Sequence, residues 1–506
     1  MAERIASLLS GLTPVAGHAP WPRYQVDNDT WSAIGEALGE GHSELVGLWG
    51  EPAAVHLALR AAGLPHPCVV SVGITYGGFP SIGRHHAPAI RLERTVRDLH
   101  GHAPIGGPDR RAWLDHGAWG VRAPLGPAEA SDRRDPADYA FLPVHGEGLH
   151  EIPVGPVHAG IIEPGHFRFT ANGETVARLE ERLGYVHKGI DGLLVDAEIA
   201  RAQKVVARVS GDSTVALGFA FARAVEAALE IEVPPRARVL RGVMAELERI
   251  ANHFGDIGAI CNDAAFALIH AHCGIFRERI LAAADAAFGH RLMMDCIVPG
   301  GLATDIATDG PSAILAALAE VEPRFAEIVR LYDDTPSLQD RTCTTGIVAP
   351  DLVARWAAGG HVGRASGRSF DTRRDLPYPP YDNATFAVPL FREGDVNARV
   401  WVRIREVEAS MRLVRDWLAA LPEGPVQVQV PGTKVAREGI AMVEAFRGDV
   451  LVWLRVAPGG RIARGHVRDA SWFQWPLLEA AIEGNIVADF PLCNKSFNCS
   501  YSGHDL

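Results

Sequence analysis

The segment that most constrains the fold is a long helical pattern over residues 236–260. Apolar residues recur there at three- and four-residue steps, which places them on one continuous face of a helix. Pro234 and Pro235 come directly before it, where proline is tolerated. Four polar or charged residues share the opposite face, at a spacing that favours ion pairs within a helix. They are Glu246, Arg249, His253 and Asp256.

This helix lies in the larger of two predicted domains. We expect a small first domain over residues 1–120, a linker over 121–150 and a second domain over 151–506. The linker prediction depends on residues 124–138, which are rich in proline, alanine and charge and have no apolar period. Long helical segments follow the strand-like opening of the second domain.

Within this division the apolar pattern predicts individual elements. Residues 69–76 are β-rich, and residues 161–170 alternate like a strand. We expect helices at residues 31–38, 52–62 and 91–99 in the first domain, and at 215–229 in the second.

Charge and cysteine content exclude some classes of protein. The 506 residues carry a formal net charge of −12 without a compensating basic stripe, which argues against nucleic-acid binding. No apolar run approaches the length of a bilayer-spanning helix, so we expect partner subunits to provide any membrane attachment. The seven cysteines have no paired spacing, which is typical of reduced, buried thiols in the cytoplasm.

Short motifs spread over nearly the whole chain carry a resemblance to a known family. The stretch at residues 91–104 resembles the 30-kDa-type subunit of respiratory complex I. A second series resembles the large subunit of energy-converting nickel–iron (NiFe) hydrogenases of the formate-hydrogenlyase type, and its 49-kDa-type relative in complex I. Its members are Gly155-Pro156-Val157-His158, Glu163-Pro164-Gly165-His166-Phe167, Gly184-Tyr185-Val186-His187-Lys188-Gly189, Asn252-His253, Arg364-Ala365-Ser366-Gly367, Gly394-Asp395-Val396 and Asp489-Phe490-Pro491-Leu492.

The resemblance implies a fold and a setting. The expected fold class is α+β, with a small α/β N-terminal domain fused to a mainly helical domain like the hydrogenase large subunit. In this family the large subunit docks a small subunit that carries a terminal Fe–S cluster, and it attaches to a membrane arm that translocates protons or sodium ions. We therefore expect the Fe–S cluster in the partner, no cofactor bound by this chain itself, and a cytoplasmic place at the inner face of the cell membrane.

Hydrogenases of that family hold nickel and iron with two cysteine pairs, one early and one near the C-terminus. At the matching positions this chain has Ser210 and Ser213 for the early pair, and Ser500 and Gly503 for the late pair. Nickel at such a site prefers soft thiolate ligands, and a serine hydroxyl is harder and far less acidic. The resemblance therefore implies degenerate metal positions and no bound metal.

Complex I has another chemistry, the reduction of quinone, for which the family uses a histidine in the Gly-Pro-x-His segment and a tyrosine in the early loop. His158 matches the histidine. The tyrosine position falls at or next to Gly211, and no tyrosine occurs between Tyr185 and Tyr332. His158 is then a candidate for binding a quinone head group without that partner. The alternative is a histidine that is hydrogen-bonded at the edge of a strand.

The early loop, residues 210–214, is polar and lies just ahead of a predicted helix. Serine or aspartate in such a place is typical of a helix N-cap. The other hypothesis makes Asp212 a catalytic residue that carries protons or binds a cation in the former metal cavity.

Arg364 matches an arginine that the family places beside the terminal Fe–S cluster of the small subunit. A guanidinium there stays charged and raises the reduction potential of a cluster. The alternative for Arg364 is surface solvation or an ion pair with Asp371.

Glu163, His166 and His187 form a third candidate group. A glutamate and histidines in a semi-buried strand and turn are suited to relaying protons, because burial and neighbours move their pKa values toward neutrality. The alternative is a hydrogen-bond network that holds the strand to a helix.

Three hypotheses follow for function. In the first, the chain is a peripheral-arm subunit of a membrane-bound, complex-I-like or hydrogenase-like oxidoreductase, takes part in electron transfer coupled to ion translocation, and has no NiFe centre. In the second, it is a catalytically silent scaffold subunit of that complex. In the third, it is a true NiFe hydrogenase large subunit, which the missing cysteines argue against.

Overall fold

The computed structural model describes residues 3–130, 139–160 and 162–506, and its architecture is α+β, as expected. In the described part of the chain the α-helices are α1 (Arg4–Leu9), α2 (Asn28–Gly39), α3 (Ile90–His100), α4 (Ile190–Leu194), α5 (Ile199–Val206), α6 (Thr214–Leu229), α7 (Pro235–Asp263), α8 (Ala267–Phe288), α9 (Gly310–Asp333), α10 (Pro336–Thr342), α11 (Pro350–Trp356), α12 (Gly360–Ala365), α13 (Thr372–Asp375), α14 (Val396–Ala419), α15 (Ser471–Ala481), α16 (Phe490–Phe497) and α17 (Tyr501–Asp505).

The strands form sheets that join distant parts of the chain. They are β1 (His18–Ala19), β2 (Arg23–Val26), β3 (Ser43–Glu51), β4 (Ala54–Ala61), β5 (Cys68–Gly73), β6 (Gly78–Pro80), β7 (Ala103–Ile105), β8 (Val121–Arg122), β9 (Glu129–Ala130), β10 (Leu149–Val154), β11 (His166–Asn172), β12 (Thr175–Arg182), β13 (Ala197–Glu198), β14 (Ile297–Val298), β15 (Gly301–Leu302), β16 (Arg437–Ala445), β17 (Gly448–Val456) and β18 (Arg461–Arg468).

Three sheets organise most of these strands. The first has the order β2-β5-β4-β3, the second β10-β11-β12, and the third β1-β16-β17-β18-β13. In the third sheet β1, from the start of the chain, pairs in parallel with β16, so that His18 lies opposite Glu438. The first and third sheets face each other through a small apolar cluster in which the rings of Trp49 and Trp453 lie 5.5 Å apart.

The long predicted helix is confirmed as α7, which packs against α8 on one side and α14 on another. Its apolar residues lie in the largest core, and Phe254 packs edge-on against Phe276 and Phe325. Its polar face is not solvated: Glu246 and His253 are fully buried against α14. The helix therefore buries charge as well as apolar surface.

Most element predictions are confirmed, and one is wrong. Residues 52–62 form no helix but a turn followed by β4, because Val55, Leu57 and Leu59 alternate toward the core with a period of two. The pattern at residues 161–170 is only partly a strand, since β11 begins at His166. Residue 161 of that pattern, and residues 131–138 of the predicted linker, lie outside the described residues.

The prediction that a serine or aspartate of the early loop caps the N-terminus of α6 is also wrong. Ser213 precedes the helix but makes no side-chain cap hydrogen bond. Instead the carboxylate of Glu248, on α7, accepts from the backbone N–H groups of Val215 at 2.7 Å and Ala216 at 3.1 Å. A neighbouring helix therefore satisfies the orphan donors that a local side chain was expected to satisfy.

Across the described ranges, no single helix has the length and apolar character needed to cross a bilayer, while α5 and α6 pass that test only as a pair bent by 115°. The boundaries at residues 120 and 150 stay a prediction. Residues from both sides of them share one apolar core, in which Trp113 and Phe167 are both buried.

Candidate functional site

The structure brings together one residue from each of the two predicted pairs of degenerate metal positions. Ser210 lies in the loop between α5 and α6, and Ser500 lies in the loop between α16 and α17. Their hydroxyl oxygens are 3.0 Å apart, although 290 residues separate them in sequence. Both side chains are buried. Of the early loop, residues 210–213 precede α6 and Thr214 is the first residue of that helix; we call residues 498–500 the late loop.

The late loop has a local reason for its shape. Asn498 takes the left-handed conformation that ends α16, which turns the chain sharply. The hydroxyl of Ser500 then caps α17 by accepting a hydrogen bond from the backbone N–H of Gly503 at 2.9 Å. A Cβ atom at Gly503 would lie 2.9 Å from a carboxylate oxygen of buried Asp469, so a cysteine there requires that carboxylate to move.

Arg447 ties the two loops to each other. It sits in the tight turn between β16 and β17, and its guanidinium donates to both carboxylate oxygens of Asp212 at 2.8 and 2.6 Å. It also donates to the hydroxyl of Ser213 at 3.2 Å and to the backbone carbonyl of Asn498 at 2.5 Å. Sequence reasoning missed this residue. The available signal was an arginine in the short turn between two apolar runs, residues 440–443 and 450–454.

The ion pair determines the charge of Asp212. Burial disfavours its carboxylate and raises its pKa, but the charge and hydrogen bonds of Arg447 and a hydrogen bond from Ser210 outweigh burial and lower the pKa to about 2. The carboxylate is therefore ionised at neutral pH and held in place. This arrangement argues against a proton carrier, and the catalytic role of Asp212 stays a prediction.

The residues at the two loops do not suit a nickel–iron centre. Three of the four matching positions offer hydroxyl groups, and Gly503 offers no side chain. Each hydroxyl is engaged in a hydrogen bond, Ser210 with Asp212, Ser213 with Arg447 and Ser500 with the N–H of Gly503. The guanidinium cation of Arg447 contacts the early loop, whereas nickel and iron ions need anionic ligands. Among residues 3–130, 139–160 and 162–506, no three His, Cys, Asp or Glu side chains are grouped to hold a metal ion.

His158 lies near the late loop but is itself hydrogen-bonded. Its Nε2 atom is 2.7 Å from the backbone carbonyl oxygen of Gly165, and its ring packs 5.6 Å from the ring of Phe167. Tyr501 packs against the same two residues: its ring lies 6.4 Å from that of Phe167 and against Gly165. Sequence reasoning looked for a tyrosine only in the early loop and so missed Tyr501. Quinone binding by His158 stays a prediction.

Glu163 and His187 both bind the C-terminal segment. Glu163 accepts from the backbone N–H of Ser502 at 3.0 Å, and Nδ1 of His187 lies 2.7 Å from the backbone carbonyl oxygen of Asp505. His166 is the neighbour of Phe167 in β11, so its side chain points to the opposite face of the sheet. No hydrogen bond among the described residues joins these three side chains directly, and a relay through them stays a prediction.

Arg364 lies in the interior and not at a surface. It is 0% exposed and makes ion pairs with Glu406, with Glu444 at 2.9 Å and with Asp371 at 3.4 Å. Burial lowers its pKa, but these three carboxylates outweigh burial and keep it charged. The ion pair with Asp371 that the sequence suggested is present. A position beside a partner's Fe–S cluster stays a prediction.

Arg364 belongs to a larger buried network that crosses from α7 to α14. Glu406 also accepts from Nε2 of His253 at 2.7 Å, and Arg373 donates to Glu246 at 3.0 Å. Each of these side chains is at most 2% exposed. Because a buried charge is costly unless it is paired, the network fixes how the two helices face each other.

Comparisons with known proteins agree with this geometry. Residues 265–439 match the family profile described as the respiratory-chain NADH dehydrogenase 49 Kd subunit. The chain is 30% identical over 439 residues to formate hydrogenlyase subunit 5 of Escherichia coli, covering 84% of this chain and 77% of the relative. It is also 30% identical over 350 residues to a carbon monoxide-induced hydrogenase of Rhodospirillum rubrum, covering 69% of this chain and 97% of the relative.

A solved structure has the same fold. It is entitled the structure of the membrane-bound sulfane sulfur reductase, an archaeal respiratory membrane complex. The match has a TM-score of 0.67 at 23% identity and covers 71% of this chain and 99% of the other.

Proposed function

This chain belongs to the family of large subunits shared by formate-hydrogenlyase-type hydrogenases and NADH-quinone oxidoreductases, and we propose that it works there without a nickel–iron centre. It is a peripheral-arm subunit of a membrane-bound oxidoreductase and takes part in electron transfer coupled to ion translocation. One observation carries the proposal: the hydroxyls of Ser210 and Ser500 meet at 3.0 Å where the hydrogenases of this family have thiolates.

The contacts of Arg447 support the same proposal. This arginine joins the early loop to the late loop through Asp212 and the carbonyl of Asn498. The resemblance implies that in hydrogenases of this family the two cysteine pairs, and so the two loops, are joined through the metal ions. Here an ion pair supplies the connection, so the fold is retained without the centre.

The proposal includes specific partners. A small subunit with an Fe–S cluster docks on this chain, and membrane-arm subunits hold it at the inner face of the cell membrane. Support for these partners comes from the relatives, one of which is a subunit of formate hydrogenlyase, and from the shared fold with a chain of an archaeal respiratory membrane complex.

Gly211 offers a direct test of whether the early loop works in electron transfer or only in scaffolding. Gly211 is exposed and a Cβ atom there meets nothing within 4 Å, so a larger side chain begins without a clash against this chain. Gly432 has the same open surroundings, lies in a distant exposed loop, and supplies the matched control.

The complex is purified through a tag on this chain from membranes carrying Gly211→Trp or Gly432→Trp, and its subunits and electron-transfer rate are measured. We expect both variants to assemble with an Fe–S subunit and membrane subunits, and only Gly211→Trp to lose electron transfer. Assembled complexes with equal, normal rates would instead support the silent scaffold. Failure to recover an Fe–S subunit with the unaltered chain would contradict the proposal itself.

A further inference from the structure

Two glutamates and an arginine form a buried group beside the late loop, outside the residues discussed so far. Glu181 is on β12, Glu479 is on α15 and Arg91 is on α3. One guanidinium serves both carboxylates: Arg91 lies 3.3 Å from Glu181 and 2.7 Å from Glu479. The backbone N–H of Glu181 also donates to Glu479 at 2.8 Å, which holds the two carboxyl groups close together.

The ionised form of Glu181 would lack a hydrogen-bond partner for one of its two carboxylate oxygens. Its side chain is 0% exposed, and its Oε1 atom has no hydrogen-bond partner. An ionised carboxylate with an unpaired oxygen in a buried place is costly, whereas a protonated carboxyl group is not. Burial first, and then the neighbouring Glu479, raise the pKa of Glu181 well above its usual range, and Arg91 only partly offsets them.

The group opens toward water on one side. Glu181, Glu479 and Arg91 line a cavity of about 230 Å³, and the Glu479 side chain is 21% exposed. Five other titratable or charged residues line this cavity. Arg94 and Arg111 both form ion pairs with Asp109. The other two are Tyr139 and Glu180.

On its inner side Glu181 faces the late loop. Glu181 pairs with Phe167 across β11 and β12, so their side chains lie on the same face of the sheet. Phe167 packs there against the rings of Trp475 and Tyr501. Burial raises the pKa of both the Cys499 thiol and the Tyr501 phenol, and Glu181 in its ionised form adds to the increase in each. Glu181 is thus electrostatically coupled to the two residues that flank Ser500.

We propose that Glu181, paired with Glu479 through Arg91, is a proton-exchanging site that admits protons from the cavity to the interior beside the late loop. The Glu181 carboxyl group gives its proton to the acceptor that is reduced beside the late loop, and the carboxylate regains a proton from water in the cavity through Glu479. The pair moves no electrons. This inference deepens the proposed function and rests on it, because an acceptor that is reduced beside the late loop consumes protons.

The first test concerns the site alone and needs no turnover. Infrared spectroscopy of the purified complex near neutral pH detects a protonated carboxylic acid and its exchange in D₂O. We expect a band that Glu181→Gln removes and that the exposed-residue control Glu174→Gln keeps. Glu479→Gln removes the like charge, so the band should titrate at a lower pH. A spectrum that Glu181→Gln leaves unchanged would overturn the proposal.

The second test concerns transport. We expect Glu181→Gln to slow proton-coupled turnover of the complex about tenfold or more, with Glu181→Asp partly restoring it and Glu174→Gln without effect. A normal rate in Glu181→Gln, with its band absent, would overturn the entry route while leaving the proposed function standing. Failure of the proposed function would be recognised by a different result, the absence of electron transfer in the unaltered complex.

Discussion

Single arginines make many of the connections between segments that are distant in sequence. Arg447 joins residues of both candidate loops, and Arg364 joins carboxylates of α14 and β16. The two differ in surroundings, since Asp212 keeps 36% of its side-chain surface exposed whereas the partners of Arg364 are at most 1% exposed. Their removal should therefore have different costs.

Arg447→Met tests the connection between the loops. The change leaves Asp212 without its ion pair, and we expect the free energy of unfolding at neutral pH to fall by about 1.5–3 kcal/mol. The pKa of Asp212 is depressed from 3.8 to about 2, so the pair stabilises the fold above pH 3.8 and this contribution is lost as the pH falls toward 2. Urea unfolding against pH should show that acid-dependent loss only in the unaltered protein.

The control for that series is Arg437→Met, which removes a more exposed arginine from β16 whose partner Glu230 is 3.5 Å away. Its effect should stay below about 1 kcal/mol. Equal losses in the two variants would mean that Arg447 has no special part in holding the loops.

Arg364→Met tests the buried network. It leaves the buried Glu444 without its ion pair and removes one charged partner of Glu406, which keeps its contact with His253; breaking a buried pair costs about 3–5 kcal/mol. Denaturant unfolding should show this loss, and Arg405→Met on α14 should cost less than about 1 kcal/mol because Arg405 is 50% exposed. A loss as small as that of the control would show that the network adds nothing to stability.

At the scale of elements, close packing between α6 and β16 positions the early loop. Gly439 of β16 faces the backbone of Ala224 in α6, and a Cβ atom at Gly439 would lie 1.8 Å from the Ala224 carbonyl oxygen. Since α6 begins directly after the early loop, its distance from the sheet sets where Ser210 and Asp212 lie.

Gly439→Ala should therefore push α6 from the sheet and lower the free energy of unfolding by about 1–3 kcal/mol. Gly432→Ala is the matched control, with open space around its Cβ and an expected change within about 0.5 kcal/mol. Thermal unfolding of the two variants measures the difference. Indistinguishable midpoints would contradict the packing argument.

Periodicity predicted helices such as α6 and α7 because their apolar positions repeat over several turns. It failed at β4, where a short run of alternating apolar residues also fits a helix until its partner β3 is known. The contact between the early and late loops followed from the resemblance alone. The ion pair of Arg447 with Asp212 and the pairing of Glu181 with Glu479 could not be predicted from local pattern, because these partners lie 235 and 298 positions apart.

At the scale of the whole molecule, the first 120 residues and the rest of the chain share sheets and cores. β1 extends the sheet of β16, and Trp49 packs on Trp453 across two sheets. Arg455 of β17 pairs with Glu51 of β3 at 2.6 Å. These contacts tie the sheet that carries Arg447, in the turn between β16 and β17, to the first 120 residues.

The nickel content of the complex, purified with its membrane partners from cells supplied with nickel, tests this account most directly. Ser210, Ser213 and Ser500 supply hydroxyls and Gly503 supplies nothing, so we expect no nickel in proportion to this chain. One nickel per chain, lost when Ser210 and Ser500 are changed to alanine, would contradict the account.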